Sequence, residues 1–217
     1  MPRESPENRH SPTSREVGNA HYFDDDPAVP SDPVVIDVTL PDTAFALETD
    51  RGVFSRGQLD NGTSMLVRAE LPLAPTGNVL DLGCGAGPIA LTMARRSPEA
   101  TVWAVDVNSR ARTLCTRNAE RNGLANVEVV SPSEVPDQLL FDTIWSNPPI
   151  RVGKAALHEL LLIWMSRLTP DGTAALVVQK HLGADSLHRW LEDEGFPTER
   201  VASKAGYRIL AVKKGKS

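Results

Sequence analysis

Residues 79–87 read VLDLGCGAG, and this stretch decides the fold. Its apolar start predicts a short buried strand, and the glycines at 83, 85 and 87 predict a tight turn. Pro88 follows at once and favours the first turn of a helix. A strand, a glycine-rich turn and a helix form the arrangement that brings backbone close to a nucleotide-like ligand. The stretch therefore predicts a ligand-binding turn in an α/β sheet.

The segments that follow alternate between strand-like and helix-like patterns. Strands are predicted at residues 79–81, 101–107, 127–130, 142–146, 173–179, 199–203 and 207–212, and helices at residues 88–95, 110–121, 154–168 and 185–194. This alternation predicts an α/β fold with a doubly wound, mostly parallel, seven-stranded sheet. A short glycine-containing turn joins the last two strands, so the last strand should run antiparallel.

Composition divides the chain before this sheet begins. Residues 1–32 are rich in proline and carry three basic and seven acidic side chains, so we expect an acidic, disordered tail over residues 1–20. His21-Tyr22-Phe23 is expected to dock on the folded body. Residues 21–77 are predicted to form an N-terminal extension, with strands at 34–40 and 44–49 and a helix at 63–71 capped by Thr63. Residues 78–217 are predicted to form the ligand-binding domain.

Whole-chain properties exclude several classes of protein. The chain has 217 residues, 41% of them apolar, and a net charge of −5, which argues against a basic nucleic-acid coat. Its two cysteines exclude a disulfide framework and point to a reducing compartment. We find neither an apolar span of membrane length nor an apolar signal core at the N-terminus. A cytoplasmic protein without a membrane partner is expected. His181 and His188 lack the neighbours of a metal cluster, so no metal is expected.

Acidic residues beside the glycine turn indicate the charge of the ligand. Asp81 stands two residues before Gly83, where a carboxylate would repel a pyrophosphate and attract a cation. S-adenosylmethionine carries an ammonium and a sulfonium group and no phosphate, so it suits this position. Asp106 lies 19 residues past Gly87 and either accepts the two ribose hydroxyls or caps the next helix. The expected cofactor contacts here are Asp81, Gly83, Cys84, Gly85, Gly87, Asp106 and Val107.

A second motif, NPPI at residues 147–150, follows the predicted strand 142–146. Ligands bind at the carboxyl ends of strands in such sheets, and two prolines stiffen the chain there. Pro148 also restricts Asn147 to an extended conformation. The Asn147 amide and the Pro148 carbonyl would then accept the two N–H groups of a planar amine and leave its lone pair aimed at a methyl donor. Asn147, Pro148 and Pro149 are the predicted catalytic residues; the alternative is an ordinary proline-rich loop.

Together, DLGCGAG, Asp106 and NPPI resemble the Rossmann-like S-adenosylmethionine-dependent methyltransferases. The closer likeness is to the "methyltransferase small" family, which includes bacterial ribosomal RNA guanine-N2 methyltransferases and small archaeal single-domain relatives. It extends over residues 21–213. The resemblance implies S-adenosylmethionine as cofactor, methyl transfer to N2 of a guanine in ribosomal RNA, and RNA or a ribosomal subunit as partner. A monomer is favoured.

The same resemblance assigns residues that spacing alone does not. It implies that the loop at residues 54–63 closes over the cofactor, with Asp60, Gly62 and Thr63 on the cofactor side together with Asn147. Related enzymes often place an acidic residue near the adenine after the third strand. Residues 131–134 read SPSE here, so the adenine contact stays unassigned.

One predicted substrate contact differs from the residue that related enzymes have at that position. An aromatic residue that stacks on the target often follows the two prolines, whereas Ile150 stands here and Phe54 is expected to stack instead. Arg151 and Lys154 either meet phosphates or belong to a solvated helix start. Other targets remain open: a protein glutamine amide, another RNA amine or a small molecule. A non-enzymatic alternative is an inactive cofactor-binding RNA module, against which Asn147 and Asp81 argue.

Overall fold

The computed structural model describes residues 30–53 and 56–215, and the backbone alone at Arg151. The predictions for residues 1–20, for His21-Tyr22-Phe23 and for Phe54 lie outside the described residues. The division between residues 21–77 and 78–217 also stays a prediction.

Nine strands and five helices make up the described part of the chain. The strands are β1 (Val34–Thr39), β2 (Ala44–Thr49), β3 (Thr76–Leu82), β4 (Glu99–Val105), β5 (Val127–Val130), β6 (Phe141–Ser146), β7 (Leu168–Gln179), β8 (Thr198–Lys204) and β9 (Tyr207–Lys213). The helices are α1 (Asn61–Arg68), α2 (Pro88–Arg96), α3 (Ser109–Arg121), α4 (Lys154–Met165) and α5 (Ala184–Asp193). Short 3-10 turns occupy Pro132–Glu134, Ile150–Val152 and Lys180–Leu182.

Seven of the strands form one sheet in the order β5-β4-β3-β6-β7-β9-β8. Strands β3 to β7 pair in parallel, and β9 runs antiparallel to both of its neighbours. The predicted fold class, including the antiparallel last strand, is confirmed. Strand β3 pairs with β4 on one side and with β6 on the other, so the chain order reverses there. Such a reversal leaves a crevice at the carboxyl ends of the strands, where ligands bind.

Several element ends differ from the sequence prediction, among them those of α1, β4 and α4. Helix α1 begins at Asn61, and Asp60 caps it by accepting a hydrogen bond from the Thr63 N–H at 2.9 Å, so Thr63 as cap was wrong. Strand β4 ends at Val105, which places Asp106 in the loop after it. Helix α4 ends early because Leu168 pairs with Phe141 at the start of β7.

Apolar side chains cover both faces of the sheet. One face packs against α1, α2, α3 and the separate β1–β2 hairpin, whose Val38 and Phe45 belong to that core. The other face packs against α4 and α5 and buries Trp164. Among the described residues, no helix combines the length and apolar character needed to cross a membrane.

A fully buried amide, Asn118, fastens the hairpin to the sheet. Its Oδ1 accepts from the Glu48 N–H at 2.7 Å, and its Nδ2 donates to the carbonyls of Glu48 at 2.8 Å and Ala86 at 2.9 Å. One turn later, Asn122 repeats the pattern with the backbone of Ala46. Helix α3 therefore supplies hydrogen-bond partners to backbone groups along one edge of β2 and holds this strand against the glycine turn.

Replacing Asn118 by Ala leaves those buried backbone groups without partners. We expect the free energy of unfolding to fall by about 2–4 kcal/mol, because each unsatisfied buried group costs about 1–3 kcal/mol. Urea denaturation measures this change. Thr116→Ala, at an exposed position of the same helix, is the control and should change the value by less than about 0.5 kcal/mol. Equal midpoints for the two variants would contradict the prediction.

Candidate active site

A cavity of about 900 Å³ opens at the carboxyl ends of β3, β4 and β6. The structure brings most of the predicted site residues to its wall: Asp60, Thr63, Gly83, Cys84, Gly85, Asp106, Val107, Asn147, Pro148, Pro149 and Ile150. They come from four separate segments of the chain. The doubly wound sheet thus assembles one site from motifs that are distant in sequence.

Other predicted residues lie off this wall. Gly62 and Gly87 are buried beside it, where a Cβ would meet Tyr207 Cε1 at 2.9 Å and Cys115 Sγ at 2.5 Å respectively, so both glycines permit close packing. Lys154 lines a smaller neighbouring cavity of about 130 Å³. Phe54 and the side chain of Arg151 lie outside the part of the chain that the structure describes.

Asp81 sits behind the glycine turn and is completely buried. Its Oδ2 accepts a hydrogen bond from the Ala90 N–H in α2 at 2.9 Å, whereas its Oδ1 has no partner among the described residues. Burial raises the pKa of Asp81 to about 8, and the negative charge of Asp106 acts in the same direction. A cation nearby would favour the ionised form of this buried carboxyl group.

Asp106 ties the glycine turn to the start of α3. Its Oδ2 accepts from the Gly85 N–H and its Oδ1 from the Asn108 N–H, both at 2.9 Å. The cap of α3 is Asn108, which accepts from the Ala111 N–H at 3.0 Å. Of the two roles left open by the sequence, helix capping therefore falls to Asn108. Asp106 remains on the cavity wall, and burial raises its pKa.

The amide of Asn147 is held by two residues from the α1 region. Its Nδ2 donates to Asp60 Oδ2 at 2.8 Å and to Thr63 Oγ1 at 3.0 Å. A primary amide nitrogen carries two N–H groups, so these bonds use both of them. The Oδ1 atom is thereby the part of the amide left for a ligand. Asp60 and Thr63 thus set which way the Asn147 amide points.

The Pro148 carbonyl already accepts one hydrogen bond. The Ile150 N–H donates to it at 2.8 Å across Pro149, whose φ of −74° and ψ of 78° form an inverse γ-turn. A carbonyl oxygen has two lone pairs, so one acceptor position remains. The turn fixes the direction of this carbonyl relative to Asn147.

The cavity wall also contains residues that the sequence analysis missed. They include Val53, Gln58, Asn108, Pro132, Trp164, Gln179 and Tyr207. Tyr207 reaches the site because β9 pairs with β7 and places it opposite Gln179, a register with no local sequence signal. Burial raises the pKa of Tyr207, and the charge of Asp60 adds to this shift. Pro132 lies on the wall, whereas Glu134 is exposed and bonds to Ser131.

The charges along the wall fit S-adenosylmethionine. Among the described residues, the wall carries the carboxylates of Asp60 and Asp106 and no Lys, Arg or His side chain. Such a wall disfavours phosphates and suits a cationic ligand with hydroxyl groups to donate. Gly83 has a positive φ of 77° with open space where a Cβ would stand, so the backbone is accessible to a ligand there.

The raised pKa of Asp81 predicts a pH-dependent stability. Because its pKa is about 8 in the folded protein and near 4 when unfolded, the folded state holds the extra proton between these values. Stability without ligand should therefore fall as pH rises from about 4 to 8, by the order of a few kcal/mol.

Thermal melts of the wild type and of Asp81→Asn across that range measure the effect. Asn keeps an acceptor for the Ala90 N–H but cannot ionise, so its profile should lack this part of the decline. Parallel profiles for the two proteins would show that Asp81 does not titrate in this window.

Comparison with known proteins places this architecture in a family. The model of the methyltransferase small domain matches residues 44–211. Protein YbxB of Bacillus subtilis is 35% identical over 197 residues, covering 89% of this chain and 98% of that protein. Ribosomal RNA small subunit methyltransferase C of Pseudomonas entomophila is 38% identical over 186 residues, covering 82% of this chain and 54% of its own length.

A solved structure of a ribosomal RNA methyltransferase also matches this chain. The 16S rRNA N2 guanine methyltransferase of T. thermophilus, in complex with AdoMet and guanosine, superposes with a TM-score of 0.71 and 26% identity. The match covers 87% of this chain and 52% of that one. The chain thus spans about half the length of the ribosomal RNA methyltransferases that it matches. It belongs to the methyltransferase small domain family, with S-adenosylmethionine as its cofactor.

Proposed function

We propose that the protein transfers a methyl group from S-adenosylmethionine to N2 of a guanine in ribosomal RNA. The orientation of Asn147 is the observation that carries this proposal, because Asp60 and Thr63 take up both of its N–H groups and leave its Oδ1 as the acceptor for a ligand. Relatives named ribosomal RNA small subunit methyltransferase C support the target. The T. thermophilus structure with guanosine adds support for a guanine.

The bound cofactor supplies an electrophilic methyl group on a positively charged sulfur. Asn147 Oδ1 and the free acceptor position of the Pro148 carbonyl take the two N–H groups of the target amine. The amine is then held with its lone pair facing the methyl carbon, at about 3 Å for in-line transfer. The proton that the amine loses after transfer passes to water, so no protein base is required.

The remaining predicted residues are assigned to the two ligands. Asp60 stabilises the cation electrostatically from the cavity wall, Asp81 does so from behind the glycine turn once it is ionised, and Asp106 accepts hydroxyl groups of the ribose. Gly83, Cys84, Gly85 and Val107 contact the cofactor from the cavity wall, whereas Gly62 and Gly87 support that wall by close packing. Ile150 contacts the target base, and Phe54, Arg151 and Lys154 stay proposed substrate contacts.

Isotope-labelled S-adenosylmethionine offered to ribosomal subunits, to bare ribosomal RNA and to protein fractions tests the proposal. We expect label in RNA and, after digestion to nucleosides, in N2-methylguanosine. Label in a glutamine side chain, in an adenine amine or in a small molecule overturns the proposed target. Cofactor binding without transfer to any of these fractions supports an inactive RNA-binding module instead.

Asn147→Ala should separate chemistry from cofactor binding. Loss of the acceptor removes one positioned hydrogen bond, and comparable losses lower kcat by about 10²–10³. Because the cofactor is held mainly by other residues, calorimetry should show its Kd changing by less than about threefold, which is under 1 kcal/mol. Asn61→Ala is the control, since it deletes an exposed amide beside Asp60. Full turnover in Asn147→Ala would exclude the acceptor role.

A further inference from the structure

We propose that three exposed lysines beside the cavity bind the phosphates of an RNA strand whose target base enters the site. Lys154, Lys180 and Lys204 are here called the lysine rim. The inference rests on the proposed function and names the surface that holds the polynucleotide outside the cavity.

The lysines of the rim lie on three neighbouring segments: Lys154 begins α4, Lys180 begins the 3-10 turn after β7, and Lys204 ends β8. Lys154 lines the small cavity of about 130 Å³ together with Leu182 of the next loop. The Lys180 N–H donates to the Gly206 carbonyl at 2.7 Å, which joins that loop to the β8–β9 turn after Lys204. Leu182 also lines the main cavity. The rim therefore borders the cavity on the side of the Asn147 loop.

The segments that carry the rim have an excess of positive charge. Residues 147–154, 179–184 and 203–207 contain four Lys and Arg residues and no Asp or Glu. The nearest acidic side chain in α5, Asp185, pairs with Arg208. Within the described part of the chain, the three lysine side chains form no ion pair. Their charge is thus available to an external anion.

Four arginines on the other side of the cavity have acidic partners, two arginines to each carboxylate. Arg117 and Arg121 both pair with Glu48, at 3.2 and 2.8 Å. Arg51 and Arg56 both pair with Asp32. The lysines of the rim differ from these arginines because they have no acidic partner among the described residues, although the whole chain is acidic.

A polynucleotide is the partner that this distribution fits. The described cavity wall carries carboxylates and no cation, so it can take a base but gives no counterion to a phosphate. Phosphates flanking the target nucleotide must be held outside, and lysines act there as point charges without reading sequence. The rim would supply affinity for the strand, while the cavity selects the base.

Neutralising the rim one residue at a time tests this inference. Lys180→Gln and Lys204→Gln should each raise the KM for ribosomal RNA about fivefold at 0.1 M salt, since one phosphate contact on a single strand contributes a salt slope of about 0.7. The double variant should lose about 1.4 from the slope of log affinity against log salt. Turnover at saturating RNA and cofactor affinity should stay unchanged, and Lys→Arg at either position should restore binding.

Lys213→Gln is the matched control. It removes the same charge from an exposed site at the opposite end of the sheet, where Lys213 pairs with Thr173. The inference about the lysine rim is wrong if the rim variants keep the wild-type KM and salt slope, or if Lys213→Gln changes both as much as they do. The proposed RNA methylation is unaffected by either result. If the wild type methylates no RNA, the proposed function fails. In that case a filter-binding assay of RNA affinity tests the lysine rim separately. Absence of salt-dependent RNA binding would overturn the inference.

Discussion

The hydrogen bond from the Ala90 N–H to the buried carboxylate of Asp81 is the constraint on which the site depends. It joins the end of β3 to the first turn of α2, so the glycine turn between them has little freedom. The arrangement has an energetic cost, because Asp81 is fully buried and its Oδ1 lacks a partner. Under the proposed assignment of Asp81, a cationic ligand would lower that cost and so link stability to cofactor binding.

A second constraint connects parts of the chain that are far apart in sequence. Asn147 bonds to Asp60 and Thr63, which precede it by 87 and 84 residues. The amide can hold its orientation only when the segment before α1 is in place against β6. That segment follows the hairpin, and Asn118 fastens the hairpin to α3 and to the glycine turn. The Asn147 amide is therefore positioned by Asp60 and Thr63 as much as by its own loop.

The sequence predicts the sheet well because its signals are local. Glycines with positive φ, prolines after strands and apolar periodicity each determine structure within a few residues, so VLDLGCGAG and NPPI were placed correctly at the ends of β3 and β6. Contacts set by strand register have no such signal. Tyr207 reaches the cavity only through the pairing of β9 with β7, and the role of Asp60 as cap and amide partner depends on where α1 begins.

Charge separates the two tasks of the proposed enzyme in space. Inside the cavity, the carboxylates of Asp60 and Asp106 favour a cationic cofactor and exclude free phosphates, including those of a nucleic-acid backbone. Around the Asn147 loop, the lysines of the rim form no ion pair with the described residues and are proposed to bind that same backbone. In the proposed complex, an RNA strand would therefore place its phosphates on the rim and turn a single base inward towards Asn147. The net charge of −5 does not reveal this difference between the cavity and the rim. It sums over the acidic residues 1–32 and the paired surface charges, whereas the charges near the site act only at short range because salt screens them.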